Sequence, residues 1–269
     1  MTSLIDPLET LCLGEGEKGI LLIHGSAAGA KPLRKLAELM LAENSDHRIV
    51  IPSLAGYGSV CQQAELPALQ QHLAVINNAM AEHHCPSWHI IGHSMGGFLA
   101  LKTALAHSER ITSICVIEPM VLGVLESAAD RQSLAEDRGI IQKLEQAMQD
   151  GQPEQGIAAF ISYWNGTVWQ QLPEAVRQHL LGLSEQIYAD IKSVSRDTTP
   201  ASAYAALSMP MLLLCGDQSP APARLIVQRL ASVLQRSTDQ LIAGTGHLGL
   251  LQQPVLYAQA INQFLQQNR

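Results

Sequence analysis

Charged and aromatic side chains are scarce in this sequence, and both shortages narrow what the chain can do. Charged residues make up 15% of the 269 residues and aromatic residues 4%. The 17 lysines and arginines are outnumbered by 24 aspartates and glutamates, so the formal net charge is −7, and no segment concentrates basic residues. A surface that follows a phosphate backbone needs such clusters. We therefore expect no nucleic-acid partner.

Long hydrophobic runs are absent as well. The longest apolar stretches, 19–23 and 211–215, are far shorter than the roughly 20 residues that span a bilayer. The N-terminus contains Asp6 and Glu9 and no basic segment followed by an apolar one, which a secretory signal would have. We expect a cytoplasmic chain with no membrane partner, organised as one domain with at most an insertion.

Cysteine is rare and irregularly spaced. Five cysteines are an odd number, and Cys115 and Cys215 lie inside apolar runs. We interpret them as reduced thiols and not as a disulfide framework. His83, His84 and Cys85 match no compact zinc spacing, and no phosphate-binding glycine motif follows a predicted strand. The sequence predicts no metal and no cofactor.

What the chain does contain is an alternation of short apolar runs with segments of helical period. Each intervening segment places its apolar residues on one helix face. This order is typical of a parallel sheet with crossover helices. A further short segment, 9–13, is a candidate for one antiparallel edge strand. The six predicted strands are 20–23, 48–51, 88–91, 114–117, 211–214 and a weaker 240–243.

The alternation stops for about eighty residues after the fourth of these strands. Between residues 120 and 199 the sequence has helical patterns without a convincing strand, and strand and helix order resumes at Met211. We predict that 1–119 and 200–269 form the core and that 120–199 is an inserted helical cap. Residues 120–199 are called the cap segment below.

A serine follows the third predicted strand directly. The strand runs into Gly92-His93-Ser94-Met95-Gly96-Gly97 and then into a helical segment. The glycines at 92 and 96 allow the strand and helix backbones to approach closely, and the turn exposes Ser94 at a helix N-terminus. The bare pattern G-x-S-x-G occurs by chance in roughly one chain in ten of this length. Its position between a strand and a helix makes Ser94 a candidate nucleophile.

Two further segments supply the partners that such a serine needs. The first predicted strand ends in His24-Gly25-Ser26-Ala27, a loop of small residues. A backbone N–H of Ser26 or Ala27, together with that of Met95, would form an oxyanion hole. We interpret His24 itself as a structural residue. Late in the chain, His247 lies on a glycine-flanked loop and is the candidate general base.

These three motifs together resemble the α/β-hydrolase superfamily over nearly the whole chain. The resemblance implies a mostly parallel sheet of about eight strands, flanked by helices, with a helical cap inserted after the sixth strand of that fold. This chain is shorter than that pattern by one N-terminal strand. Fold alone does not fix the reaction.

The acid of the expected catalytic machinery has two candidates. Members of the superfamily usually place an aspartate after a glycine and two variable residues, and here Ser219 occupies that position in the segment that begins at Gly216. Asp217 would serve if its loop were reshaped. Glu118, at the end of the strand 114–117, occupies a position from which some members of the superfamily supply the acid. We favour Glu118, because its geometry needs no rearrangement.

The sequence thus predicts a serine hydrolase that cleaves a carboxylic ester or thioester through an acyl-enzyme. A small-molecule ester or thioester is the expected partner, and a homodimer is possible. One alternative is a C–C bond hydrolase of the meta-cleavage-product type, which uses the same machinery. The other is a non-catalytic ligand-binding homologue. The residues assigned are the nucleophile Ser94, the base His247, the competing acids Glu118 and Asp217, and the oxyanion-hole residues Ser26 and Met95.

Overall fold

The computed structural model describes residues 10–58, 66–125 and 130–268, which form a sheet of seven strands. The order across the sheet is β1-β3-β2-β4-β5-β6-β7, and only β1 runs antiparallel to its neighbour. This confirms the predicted mostly parallel sheet with an antiparallel edge; Glu9 lies outside the described residues. The strands are β1 (Leu11–Leu13), β2 (Lys18–Ile23), β3 (His47–Ile51), β4 (Trp88–His93), β5 (Ile111–Ile117), β6 (Met211–Gly216) and β7 (Ser237–Ile242).

The inner strands and the last strand differ in how much they reveal in the sequence. Strands β4 and β6 are buried along their whole length, so their residues are mostly apolar on both faces, apart from His89 and His93 of β4, and the sequence shows them as apolar runs. Strand β5 begins at Ile111, three residues before the predicted start, because Thr112 and Ser113 interrupt its apolar run. Strand β7 begins at Ser237, also three residues before the predicted start. Its residues 238–241 are exposed, because it pairs only with β6 among the described strands. An exposed edge strand tolerates polar residues, so a search for apolar runs in the sequence does not find the whole strand.

Helices cover both faces of the sheet. On one face α1 packs against α11, with Leu36, Met40, Ile261 and Leu265 in a shared apolar layer. The other face is covered by α2, α3 and α9. None of the described helices is long and apolar enough to cross a membrane. The bounds of these helices are α1 (Arg34–Leu41), α2 (Ala68–Glu82), α3 (Met95–Ala106), α9 (Ala221–Val233), α10 (Gly249–Gln252) and α11 (Pro254–Gln267).

The described residues between β5 and β6 contain several helices and no strand. Helix α4 packs against α5, and α7 contacts both α2 and α3, so this part of the chain lies against the face that carries α3. The boundaries of a cap at 120 and 199 stay a prediction. The helices are α4 (Arg131–Gln149), α5 (Pro153–Asn165), α6 (Glu174–Gly182), α7 (Ser184–Ser195) and α8 (Ala201–Tyr204).

Candidate active site

Ser94 lies in the turn between β4 and α3, in a conformation that residues with a Cβ rarely adopt. Its φ is 55° and its ψ is −120°. A Cβ on Gly92 would come within 2.2 Å of the Gly96 carbonyl oxygen, and one on Gly96 within 2.3 Å of the Ile23 carbonyl oxygen. The N–H of Ser94 donates to the carbonyl oxygen of Ile117 at 2.9 Å. These contacts hold the serine at the carboxyl edge of the sheet.

The structure brings Ser94, His247 and Glu118 into one hydrogen-bonded line. Oγ of Ser94 lies 3.1 Å from Nε2 of His247, and Nδ1 of His247 lies 2.7 Å from Oε2 of Glu118. All three side chains are buried. Because the carboxylate accepts the proton on Nδ1, Nε2 is left as an acceptor for the serine hydroxyl. This is the arrangement in which a histidine acts as a base toward a serine.

Asp217, the other acid considered, is not part of this line. It is exposed on the turn after β6, and its Oδ1 accepts the N–H of Gly244 at 2.8 Å. Ser219, at the position where the superfamily usually has an aspartate, donates its hydroxyl to Oε1 of Glu118 at 2.6 Å. The residue in place of the usual acid therefore stabilises the carboxylate that comes from β5. Sequence reasoning assigned Ser219 no such part.

Glu118 is held as an anion. Its Oε1 also accepts the N–H of Gly216 at 2.8 Å. Burial by itself raises the pKa of Glu118, but the hydrogen bond and charge of His247, the Ser219 hydroxyl and the Gly216 amide outweigh burial and lower the pKa to about 2. The backbone of Glu118 has φ of 48°, so it shares with Ser94 a strained conformation at a strand end.

Two rings enclose the imidazole of His247. His93 donates its Nε2–H to the backbone carbonyl oxygen of His247 at 2.8 Å, and the two ring centres lie 4.7 Å apart. Burial and the neighbouring His247 lower the pKa of His93 to about 3, so His93 stays neutral. The ring centre of Trp164 also lies close to that of His247, at 4.9 Å. Neither ring was assigned this position from the sequence.

Ser26 and Met95 approach Ser94 from two elements. Met95 is the first residue of α3, so no carbonyl within the helix accepts its N–H. Ser26 lines a cavity together with Ser94. The N–H of Ala27 is used, because it donates to the hydroxyl oxygen of Tyr57 at 2.9 Å. Of the two loop amides considered from the sequence, that of Ser26 is therefore the better candidate donor.

His24 has structural contacts, as we interpreted it from the sequence. Its Nδ1–H donates to the carbonyl oxygen of Gly25 at 2.8 Å, and its Nε2 accepts the N–H of Leu54 at 3.0 Å. Burial lowers the pKa of His24 to about 4. As a neutral side chain it ties the loop after β2 to the loop after β3.

A cavity of about 290 Å³ opens beside Ser94. Its walls come from the loop after β2, from the loop that carries His247, and from α5 and α6 of the cap segment. None of the described lining residues is Lys, Arg, Asp or Glu. The cavity is therefore suited to an uncharged, mostly apolar group. Its apolar lining includes Phe160, Ile161, Trp164, Leu172, Val176 and Leu180.

Metal and disulfide sites have no counterpart in the described part of the chain. No three His, Cys, Asp or Glu side chains within it are grouped to hold a metal ion. Cys12, Cys85, Cys115 and Cys215 are free thiols, and Cys61 lies outside the described residues.

A mostly parallel sheet in which a central strand ends in a strained serine turn, with a histidine and a carboxylate from later strand ends, defines an α/β-hydrolase fold. A model of the alpha/beta hydrolase family matches residues 20–260. The chain belongs to this family.

Individual similar proteins carry several activities on this fold. The chain is 25% identical to the putative 2-succinyl-6-hydroxy-2,4-cyclohexadiene-1-carboxylate synthase of Bacillus subtilis (strain 168) over 191 residues, which are 65% of either chain and so slightly less than two thirds of that relative. It resembles a bromoperoxidase from Bacillus anthracis with a TM-score of 0.76 and 16% identity over 96% of this chain and 94% of that one. An esterase from Exiguobacterium antarcticum gives a TM-score of 0.74, 16% identity and the same coverage. At 16% identity, the two solved structures show that the chain shares their fold.

Proposed function

We propose that this protein is a serine hydrolase that cleaves a carboxylic ester or thioester through an acyl-enzyme on Ser94. The contact of 3.1 Å between Oγ of Ser94 and Nε2 of His247 carries the proposal. Oγ attacks the acyl carbon while Nε2 takes the hydroxyl proton, and the alcohol or thiol leaves with that proton. Water then attacks the acyl carbon and gives a proton to Nε2; Nε2 passes this proton to Oγ of Ser94 as the bond between Oγ and the acyl carbon breaks and the carboxylic acid leaves.

Glu118 and two backbone amides stabilise the charges that develop in this reaction. The carboxylate holds Nδ1–H of His247 and stabilises the imidazolium, which suits a group whose pKa is lowered to about 2. The N–H groups of Ser26 and Met95 donate hydrogen bonds to the negatively charged acyl oxygen of the tetrahedral state. Donors that are in place before the reaction need no reorganisation when that charge appears.

The cavity lining favours an uncharged acyl group. The named compound of the Bacillus subtilis relative carries a carboxylate. In this chain the described lining residues offer a carboxylate beside Ser94 the polar side chains of Asn165 and His179 but no Lys or Arg, and a buried charge without a cationic partner is costly. This observation favours ester or thioester cleavage over C–C cleavage of a charged diketone. The contact of Ser94 with His247 disfavours a protein that only binds a ligand.

The test combines active-site labelling with turnover. We expect a fluorophosphonate to label Ser94 and p-nitrophenyl butyrate to be hydrolysed, and Ser94→Ala to abolish labelling and to lower kcat on the order of 10⁶-fold. Ser232→Ala, which removes an exposed serine hydroxyl from α9, is the control and should behave as the unmodified protein. Undiminished labelling of Ser94→Ala would refute the proposal. So would a folded protein that hydrolyses none of a panel of acyl esters and thioesters.

A further inference from the structure

Asp190 of α7 is a buried carboxylate that the proposed mechanism does not use. It has no exposed surface, and each of its oxygens accepts two hydrogen bonds. Oδ2 accepts the hydroxyls of Tyr57 at 2.5 Å and Ser26 at 2.8 Å. Oδ1 accepts Nε2–H of His72 at 2.9 Å and the Gln186 side-chain amide at 2.5 Å. A carboxylate offers about four such positions, so the group is fully satisfied.

The direction of these bonds follows from counting protons. Tyr57 has one hydroxyl proton, which goes to Asp190, and burial together with Asp190 raises its pKa, so the phenol keeps that proton. Its oxygen is left to accept, and it accepts the N–H of Ala27 at 2.9 Å. The hydroxyl proton of Ser26 also goes to Asp190, so the hydroxyl oxygens of Ser26 and Tyr57, which lie 3.1 Å apart, have no proton left to share between them. Asp190 therefore holds two consecutive residues of the loop after β2, one directly and one through Tyr57.

The loop needs this restraint. Ala27 has φ of 66°, which a residue with a Cβ keeps only where its surroundings impose it. Its N–H and the hydroxyl of Ser26 are both committed to the Asp190 network. A Cβ added to Gly25 would lie 3.2 Å from Cβ of Ser94, so the loop passes close to the serine at this point. Between Gly25 and Ala27, the N–H of Ser26 is the donor that remains for the oxyanion.

We infer that Asp190 is a positioning residue for the oxyanion hole, acting through the Ser26 hydroxyl and through Tyr57 on the loop that carries one of the two donor amides. This inference rests on the proposed function. Since Asp190 belongs to the cap segment, the hole is complete only when α7 is docked on the core. The bound donors offset the negative charge of Asp190, so its effect on the oxyanion is exerted through geometry.

Tyr57→Phe tests the inference with the least disturbance. It removes the hydroxyl between Asp190 and Ala27 but keeps the ring, which packs edge-on against His24 at 4.9 Å. Asp190→Asn removes the charge at nearly the same size. Ser193→Ala is the matched control. It removes a hydroxyl from the same helix, and that hydroxyl donates to the carbonyl oxygen of Ala189 and not to the Asp190 network.

The measurements are kcat and KM for p-nitrophenyl butyrate, the affinity for butylboronic acid and the temperature of unfolding. Oxyanion contacts form in the tetrahedral state, which the boronate adduct imitates. We expect Tyr57→Phe and Asp190→Asn to lower kcat and boronate affinity about 10- to 100-fold in parallel, with KM changed less than threefold. Ser193→Ala should leave kcat, KM and the boronate affinity within about twofold.

Three results would overturn the inference while leaving the proposed function intact. They are an unchanged kcat in Tyr57→Phe, a rise in KM without a fall in boronate affinity, and faster turnover in Asp190→Asn, which would mean that its charge opposes the reaction. If Asp190→Asn does not fold, Tyr57→Phe decides alone. An unmodified protein with neither turnover nor boronate binding would overturn the proposed function, and this inference with it.

Discussion

Two buried carboxylates hold the groups on either side of Ser94, namely His247 and the loop that contains Ser26. These carboxylates come from different layers of the molecule. On the histidine side Glu118 ends β5, next to the strand that delivers Ser94. On the side of the proposed oxyanion loop, Asp190 lies on a helix of the cap segment and bonds to Ser26, 164 positions away. Parallel strand ends meet at one edge whenever the sheet forms. The loop geometry depends in addition on the docking of a helix.

The largest difference is expected between the two acids. Glu118→Gln keeps the shape of the side chain and removes its charge, so it should lower kcat on the order of 10⁴-fold. Asp217→Asn is the matched control at the next strand end, and it should stay within about threefold, because Asp217 contacts Gly244 and not His247. Steady-state hydrolysis of p-nitrophenyl butyrate measures both.

If Asp217→Asn lost more activity than Glu118→Gln, Glu118 would not be the carboxylate that supports His247. A large loss in Asp217→Asn with an active Glu118→Gln would mean that the loop after β6 moves during turnover. Full activity in both variants would mean that Ser94 and His247 work as a pair without an acid.

A second prediction concerns the wall that the cap segment contributes. Phe160→Ala removes a ring from the cavity lining, so the ratio of kcat/KM for octanoate over butyrate esters should rise about tenfold or more. Val168→Ala changes a residue of the cap segment that is 51% exposed, and it should leave the ratio unchanged. An equal profile in Phe160→Ala would show that the acyl group binds elsewhere.

A smaller effect is expected at the support of Glu118. Ser219→Ala removes one of the three hydrogen bonds to the carboxylate while the Gly216 amide and His247 keep theirs. We expect kcat to fall about three- to tenfold, which corresponds to roughly 1 kcal/mol. Ser219→Thr keeps the hydroxyl and should recover most of the activity. No recovery would point to the size of the side chain and not to the hydrogen bond.

The last prediction concerns stability, where the two sides behave alike. Burial lowers the pKa of His24 to about 4 and that of His93 to about 3, from the usual 6.5. The unfolded chain therefore binds these protons first, so the stabilisation is complete above pH 6.5 and is lost as pH falls toward about 4. Each such histidine adds up to about 1.4 kcal/mol per pH unit to the slope.

Urea unfolding between pH 7 and pH 5 measures this slope. His89 is a third histidine whose pKa burial lowers to about 4, and it bonds to Ser113 away from Ser94. His89→Gln should reduce the pH dependence of the unfolding free energy by the contribution of one buried histidine, which is up to about 1.4 kcal/mol per pH unit. His179→Gln, at an exposed position, should not change this pH dependence. An unaltered slope in His89→Gln would contradict the assignment of a neutral buried ring.

The sequence by itself determined the parallel sheet, the serine turn and the position of His247 after the last strand. These features are local, because a buried strand needs a continuous apolar run and the turn at Ser94 needs glycines at fixed offsets. The predicted starts of β5 and β7 were each wrong by three residues, because Thr112 and Ser113 interrupt the apolar run of β5 and because β7, an exposed edge strand, carries no apolar run.

Only the tertiary structure shows that Glu118 contacts His247 and that Asp217 contacts Gly244, because these contacts depend on how the loops after β5, β6 and β7 meet. It also decided that Ser219 stabilises Glu118. Asp190 follows Ile187 by three residues and so lies on the apolar face of α7, which was a signal in the sequence. Its partners were hidden, because a carboxylate is buried only where distant residues supply donors, and no local pattern records which donors the fold brings together.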